Sequence, residues 1–228
     1  MLRLTLPDGT CPEIVVVRRA RKSIGIRVRD SHVELVAPAR VPLTTLQRVL
    51  DEKADWIWRH WQRCAAQAEA RAHAPSSVWL QGREVPLCHD PAALLTPVLT
   101  GGGLVLGGAA HDLRARVAHF LFGLAAEQFP RHWRRLAPLA AREPGQLLLS
   151  SARTRWGSCH RDGRIRLNWR LIQAPPAILD YVIAHELAHL LHMNHSVAFW
   201  QETARLYPDW RIARAWLRRE GERLFDFG

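Results

Sequence analysis

The sequence predicts an α+β fold, with an antiparallel β-rich region and a long helix towards the N-terminus and a more helical region after it. Three observations support this prediction. Short segments rich in β-branched residues follow one another within the first forty residues. Apolar residues then recur at helical spacing, and a strand–turn–strand pattern near residue 160 precedes three further helical segments.

The first forty residues contain three segments typical of strands, at 14–17, 23–28 and 32–37, which we expect to pair as an antiparallel sheet. Thr44 and Gln47 then have the spacing of a capping box, in which each side chain bonds to the backbone of the other residue. Apolar residues follow at helical spacing, so that one helix is expected over about residues 45–72.

The middle of the chain is punctuated by glycine and proline. Short strands are expected at 78–80, 84–87, 98–99 and 104–106, with the triple glycine 101–103 as a hairpin turn. Asp112 has the position of a helix N-cap, and the helix behind it should be interrupted or kinked at Pro130. We expect a first domain over residues 1–110 and a second over residues 111–228.

A hairpin is the clearest β feature of the second domain. A strand is expected at 147–150, and Asp162-Gly163 is a strong turn signal between two further strands. Over residues 164–172 polar and apolar residues alternate, which predicts a strand with one buried face. Prolines 175 and 176 then open a helix that reaches about Met193, and further helices begin near Ser196 and Trp210.

The helix before Met193 carries the pattern His-Glu-x-x-His at His185, Glu186 and His189. Residues four apart lie on one helix face, so the two imidazoles can be directed at one point. Glu186 is rotated by about 100° around the axis and would flank a bound ion. Two histidines that hold Zn²⁺ beside a glutamate that takes a proton from water are typical of zinc hydrolases. The pattern predicts one Zn²⁺ per chain, with Glu186 as the catalytic residue.

The third metal ligand has two candidates, His192 and His195. Asn194 is expected to end the helix, because asparagine tolerates the left-handed conformation, and a turn there would bring His195 back towards the metal. His192 stays on the ligand face but lies roughly 4.5 Å beyond His189 along the axis. We therefore favour His195 as the ligand and expect His192 to support the ligands or to line the cleft.

The composition limits which classes of protein the chain can belong to. No apolar run is long enough for a signal peptide or a membrane span, and the four cysteines form no C-x-x-C pair, so a cytoplasmic protein with no membrane association is expected. The formal charge of +11 keeps nucleic-acid binding as an alternative, but the arginines are spread along the chain. Trp56, Trp58 and Trp61 could stack on bases, although packing is the commoner role at this spacing.

Several motifs of the second half occur together in one known family. They are Arg-Trp-Gly-Ser-Cys at 155–159, Arg-Leu-Asn-Trp-Arg-Leu at 166–171, the helix at 180–189, Asn-His-Ser at 194–196 and Phe-Trp at 199–200. The chain resembles the YgjP-like metal-dependent hydrolases, relatives of the SprT-like and WLM zincins. The resemblance implies a zincin-like catalytic domain, in which the active-site helix packs on a β-hairpin or sheet. His185, His189 and His195 would be its ligands and Glu186 its catalytic residue.

The resemblance leaves two reactions open. Metallopeptidase-like activity on a peptide or protein is favoured, and hydrolysis of a nucleotide of the UTP type is the alternative, in which Arg155, Arg166 or Arg170 would bind phosphates. An extended peptide could pair with the edge of the strand 165–171. Five residues are candidate contacts to the substrate or transition state: Arg155, Trp156, Asn168, His192 and Tyr207. Since residue 192 is not glycine and no methionine follows 193, the chain is not a true metzincin.

Overall fold

The computed structural model describes residues 2–29, 31–72 and 75–227. These residues form two compact units, 2–72 and 75–227. The expected division at residue 110 lies within the second unit, because the strands before that residue share a core with the helix after it. Within the described residues, no helix combines the length and the apolar character needed to cross a bilayer.

The first unit begins with a mixed sheet of three strands, β1 (Glu13–Arg18), β2 (Gly25–Val28) and β3 (His32–Ala37). The strand order is β1-β3-β2. β2 and β3 are antiparallel, as expected, but β1 lies parallel to β3. The expectation of a fully antiparallel sheet was therefore wrong for β1, because the chain passes from β1 to the far edge and β3 returns between the other two strands.

Two helices follow, α1 (Leu43–Glu52) and α2 (Ala54–Ala72), where one was expected. The break is at Lys53, whose φ of −110° and ψ of 10° are not helical. The predicted capping box does not form. The amide of Gln47 instead donates to the backbone carbonyl of Arg3 and to Asp51, so that it ties the N-terminal segment to α1.

The core of the first unit lies between this sheet and the helices. Its fully buried side chains include Leu35, Leu46, Leu50 and Ile57. Trp56, Trp58 and Trp61 are partly buried and pack against this core. Packing therefore accounts for the three tryptophans.

The second unit opens with a four-stranded sheet in the order β4-β5-β7-β6. Its strands are β4 (Ser77–Leu80), β5 (Arg83–His89), β6 (Val98–Thr100) and β7 (Gly103–Leu106). The predicted glycine turn joins β6 and β7 as an antiparallel hairpin. All four predicted strands are therefore confirmed, although their ends differ by a few residues.

Helix α3 (Leu113–Leu136) continues through Pro130, where an interruption or kink was expected. Asp112 stands at its N-cap position but makes no side-chain cap bond. The buried face of the helix includes Leu121 and Phe129 before Pro130 and Leu136 after it, so the helix is packed on both sides of the proline. This packing outweighs the hydrogen bond that proline cannot make.

A second three-stranded sheet follows, with the order β8-β10-β9. It consists of β8 (Leu147–Ser150), β9 (Gly157–Cys159) and β10 (Ile165–Asn168). β9 and β10 form the predicted antiparallel hairpin. β10 is shorter than the expected strand, because the Asn168 side chain accepts a hydrogen bond from the Arg170 N–H and starts a 3₁₀ turn over Trp169–Gln173.

Three helices complete the fold, α4 (Pro176–Ala188), α5 (Val197–Leu206) and α6 (Trp210–Glu220). Pro176 occupies the first turn of α4, as predicted. The side chain of Ser196 accepts from the Phe199 N–H and caps α5, which confirms that prediction. α4 contacts α3, α5, α6 and β9, so it lies at the centre of this unit.

A buried carboxylate connects α4 to α3. Asp180 accepts hydrogen bonds from His132 and Arg135. Burial raises the pKa of Asp180, but these two hydrogen bonds lower it by more, so that it lies below its usual range. The carboxylate form is therefore favoured in the folded protein.

We expect Asp180→Asn to lower the free energy of unfolding by about 1–2 kcal/mol at neutral pH, since Arg135 is partly exposed and its charge is screened. A carboxylate with a lowered pKa stabilises the fold at pH values above its unfolded pKa of about 4. The stabilisation is lost as the pH falls through the folded-state pKa. Urea unfolding at pH 7 and pH 3.5 should therefore show a difference between wild type and variant that shrinks in acid.

Glu127→Gln is the matched control on α3. It removes an exposed ion pair with Arg131, for which a change below about 0.5 kcal/mol is expected. Equal effects of the two substitutions would contradict the importance of the buried carboxylate.

Candidate metal centre

The end of α4 determines where the histidines lie. The helix ends at Ala188, with His189 as its C-cap, and not near Met193 as predicted. Leu190 then bonds back to the Leu187 carbonyl in a tight turn. Asn194 is described by the structure and does not have a positive φ, so the prediction of a left-handed helix stop at this residue is wrong.

The early end of the helix brings three histidines together. The Nε2 atoms of His185 and His195 are 3.2 Å apart. One ligand atom from each of His185, His189 and His195 lies within 4.8 Å of the other two. His192 does not join them, because it lies in the turn that follows the helix.

The backbone of His192 nevertheless contacts one of the three histidines. Its carbonyl oxygen is 2.9 Å from Nδ1 of His189. Since a carbonyl can only accept, Nδ1 carries the proton and Nε2 of His189 keeps a free lone pair. Such a bond to the outer nitrogen orients ligand histidines in metal sites.

Aromatic packing supports the three rings. Phe199 is fully buried, and its ring centroid lies 4.9, 4.5 and 4.7 Å from those of His185, His189 and His195 respectively. Trp200 stacks on His195 at 5.7 Å between centroids. Both residues lie in the first turn of α5, which Ser196 caps immediately after His195.

The electrostatics favour neutral imidazoles. Burial, followed by the neighbouring His189 and His195, lowers the pKa of His185 to about 3. Burial is also the largest cause that lowers the pKa of His189. Neutral imidazole is the form that ligates a metal ion.

Glu186 lies on the other side of His185, where it is buried with 4% of its surface exposed. Burial raises its pKa to about 8, while the charge of Arg155 acts in the opposite direction. The backbone of β9 approaches it closely. A Cβ added at Gly157 would lie 2.4 Å from Oε1 of Glu186, so that only glycine fits there without displacing the carboxylate.

A cavity of about 370 Å³ opens beside His185 and Glu186. Arg155 and Trp156, two of the five candidate contacts to the substrate, line it. The remaining lining residues were not anticipated: Gly157, Tyr181, Val182, Arg214, Leu217 and Arg218. Tyr181 precedes His185 by four residues, so helical spacing alone could have indicated it. Arg214 and Arg218 come from α6, and only the tertiary packing brings them here.

The other candidate contacts lie elsewhere. Asn168 is fully buried, and its amide donates to the carbonyls of Ala152 and Arg155 at 2.6 and 3.1 Å, so it holds the loop before β9. Tyr207 contacts Tyr181 at 6.4 Å between centroids and does not line the cavity. His192 also lies outside it.

Two arginines considered for phosphate binding are also outside the cavity. Arg170 is buried, and its guanidinium lies over the rings of Trp169 and Phe225 at 4.3 and 5.0 Å. Arg166 lies within the central strand β10 and is not among the lining residues. Of the three arginines, Arg155 alone lines this cavity.

The strand expected to bind an extended peptide is not at an edge. β10 pairs with β8 on one side and with β9 on the other, so the expected edge pairing at 165–171 is wrong. The edge strands of this sheet are β8 and β9, and β9 is the one that contacts α4. Asn168 N–H bonds to the Trp156 carbonyl, and His160 N–H to that of Arg164. The alternation of an antiparallel ladder therefore directs the backbone groups of Gly157 and Cys159 away from β10.

The donor set fits a transition metal. Three imidazole nitrogens suit Zn²⁺, whose tetrahedral ligands at 2.0–2.1 Å lie roughly 3.3 Å apart. The 3.2 Å between Nε2 of His185 and Nε2 of His195 is close to that spacing. Three such ligands leave one coordination position for water or substrate, which is the arrangement of catalytic sites.

Comparison with known proteins identifies one family. A family model described as "YgjP-like, metallopeptidase domain" matches residues 22–220 of the chain. The match extends from just before β2 to the end of α6 and includes all the residues of the candidate centre. No curated protein and no solved structure matches the chain.

The space at Gly157 can be tested directly. We expect Gly157→Ala to displace the Glu186 carboxylate and to lower the free energy of unfolding by about 1–3 kcal/mol. The rate of hydrolysis should fall even under conditions in which the variant remains folded. Chemical denaturation and an activity assay measure the two effects.

Gly123→Ala is the matched control, because a Cβ at this exposed position in α3 meets nothing within 4 Å. It should stabilise the protein by up to about 1 kcal/mol through helix propensity. A Gly157→Ala variant with unchanged stability and activity would show that β9 does not confine the carboxylate.

Proposed function

The chain belongs to the YgjP-like metallopeptidase family, and from that membership we propose that it is a zinc-dependent peptidase with Glu186 as general base. The family supports a metal-dependent hydrolase that acts on peptide or protein substrates. The observation that carries the finer proposal is the convergence of His185, His189 and His195 beside the buried carboxylate of Glu186.

The donor atoms support zinc. Three imidazole nitrogens without a carboxylate ligand suit zinc better than magnesium or calcium, which prefer oxygen ligands. We assign His185, His189 and His195 as ligands and the His192 carbonyl as the group that orients His189. Zinc bound there would supply a Lewis acid and lower the pKa of water.

Glu186 takes the central role in proton transfer. Its carboxylate accepts the proton of the attacking water and delivers it to the leaving amine. The cavity beside Glu186 contains four side chains with hydrogen-bond donors for a developing negative charge: Arg155, Tyr181, Arg214 and Arg218.

The outward-facing edge of β9 supports a peptide substrate. An extended segment can pair with the backbone groups of Gly157 and Cys159, which point away from β10. The scissile bond would then lie beside Glu186, because Gly157 approaches that carboxylate most closely. Main-chain pairing places few demands on the side chains of the paired segment.

We expect Glu186→Gln to retain the metal and to reduce turnover by about 10²- to 10⁴-fold, since glutamine keeps the volume but accepts no proton at this step. Purified wild type and variant are incubated with casein and, separately, with a panel of nucleoside triphosphates, each with and without chelator. Chelator-sensitive peptide products from the wild type support the proposal. Release of pyrophosphate without peptide products would replace it with nucleotide hydrolysis.

We expect His195→Ala to lose most of the metal after dialysis, whereas His192→Ala keeps about one zinc per chain. The second variant is the matched control, because it removes an imidazole two positions past the tight turn but leaves the carbonyl that accepts from His189. Elemental analysis measures both. Loss of metal from His192→Ala with retention in His195→Ala would reverse the ligand assignment.

A further inference from the structure

We propose that the cavity beside the candidate metal centre is a subsite for a carboxylate of the substrate, bound by Arg155, Arg214 and Arg218. The proposal rests on the peptidase function proposed above and specifies the substrate class of that site. The carboxylate is either an acidic side chain next to the scissile bond or the C-terminus of the peptide.

The three arginines approach the cavity from two parts of the fold. Arg155 precedes β9, and its backbone carbonyl is held by the amide of Asn168 at 3.1 Å. Arg214 and Arg218 are four residues apart on α6, so they lie on one helix face. All three line the cavity together with His185 and Glu186.

The charge of this group is not balanced by the surrounding protein. Among the described residues, none of the three arginines forms an ion pair with an acidic side chain, whereas Arg219 and Arg223, which follow them in the chain, both pair with Glu220. Like charges four residues apart on a helix repel one another. Within the part of the chain that the structure describes, Glu186 is the one acidic residue that lines the cavity, and its side chain is buried. An anion in the cavity would relieve this repulsion.

The guanidinium of Arg214 is already oriented. It lies over the ring of Trp200 at 4.7 Å, and Trp200 in turn stacks on His195. A stacked, planar guanidinium loses little freedom when it binds a carboxylate through two hydrogen bonds. Arg214 is therefore both close to the third histidine and poised for an anion.

The walls of the cavity suit the carbon chain that carries such a carboxylate. Trp156, Val182 and Leu217 provide apolar surface, and the buried Tyr181 adds a hydroxyl. An apolar wall with a cationic end matches the side chain of glutamate or the terminal residue of a peptide.

Binding to the Glu186→Gln protein, which should not consume the probe, tests the subsite. Acetyl-Ala-Ala-Glu-Ala-Ala-amide is compared with its Gln counterpart, and acetyl-Ala-Ala-Ala with its amide, by calorimetry on zinc-loaded and metal-free protein. In at least one pair, we expect the peptide with the carboxylate to bind about tenfold more tightly than its amide counterpart. This difference in affinity should be present with and without zinc and should shrink at high salt. The first pair reports an acidic side chain and the second a C-terminus. Equal affinities within both pairs would overturn the subsite.

Arg214→Gln and Arg218→Gln should each abolish this preference, whereas Arg219→Gln should preserve it. The last variant removes the same charge from the same helix but from a residue outside the cavity, which is paired with Glu220. Thermal unfolding of each variant verifies the fold. A preference that survives both cavity substitutions would sink the assignment of the arginines.

Two further outcomes separate the subsite from the peptidase function. If wild type cleaves casein but both peptide pairs bind equally, the subsite is wrong and the peptidase stands. If the carboxylate peptide binds more tightly but no peptide is cleaved, the carboxylate subsite is supported and the proposed peptidase activity is rejected. Arginine-dependent binding of UTP, with no preference in either peptide pair, would make the cavity a phosphate site and overturn the carboxylate proposal.

Discussion

The contact of Phe199 with the rings of His185, His189 and His195 is the interaction on which the candidate centre depends. Phe199 is fully buried in the first turn of α5, and Ser196 caps that helix one residue after His195. The start of α5 therefore determines the position of the third histidine. The proton on Nδ1 of His189 is held by the His192 carbonyl, so the turn between the two helices also sets the lone pair that faces the centre.

The position of Glu186 has a different origin. It depends on the approach of β9 to α4, which the absence of a side chain at Gly157 permits. The approach buries the carboxylate, and burial raises its pKa to about 8. The same approach brings the edge of the sheet to the centre, so a strand added there would run past the carboxylate. One glycine thus places the edge of this sheet beside the buried carboxylate.

Local patterns predicted much of this fold, because they depend on residues close in sequence. The hairpin turn, the Ser196 cap and the four-residue spacing of His185 and His189 are of this kind. His195 was expected to join them through a left-handed Asn194, yet the structure turns earlier, at His189, because the packing of α5 determines the path. Arg218 could not be predicted at the cavity, since its place depends on how α6 packs against α4.

The net charge of +11 takes a different meaning once the partners of the arginines are known. Arg164, Arg205 and Arg223 pair with nearby carboxylates and serve the local structure. Arg170 is buried against aromatic rings. The arginines at the cavity differ, because three of them face one space without an acidic partner among the described residues. Composition alone cannot separate these classes, so the excess charge is informative where the fold collects it beside His185 and Glu186.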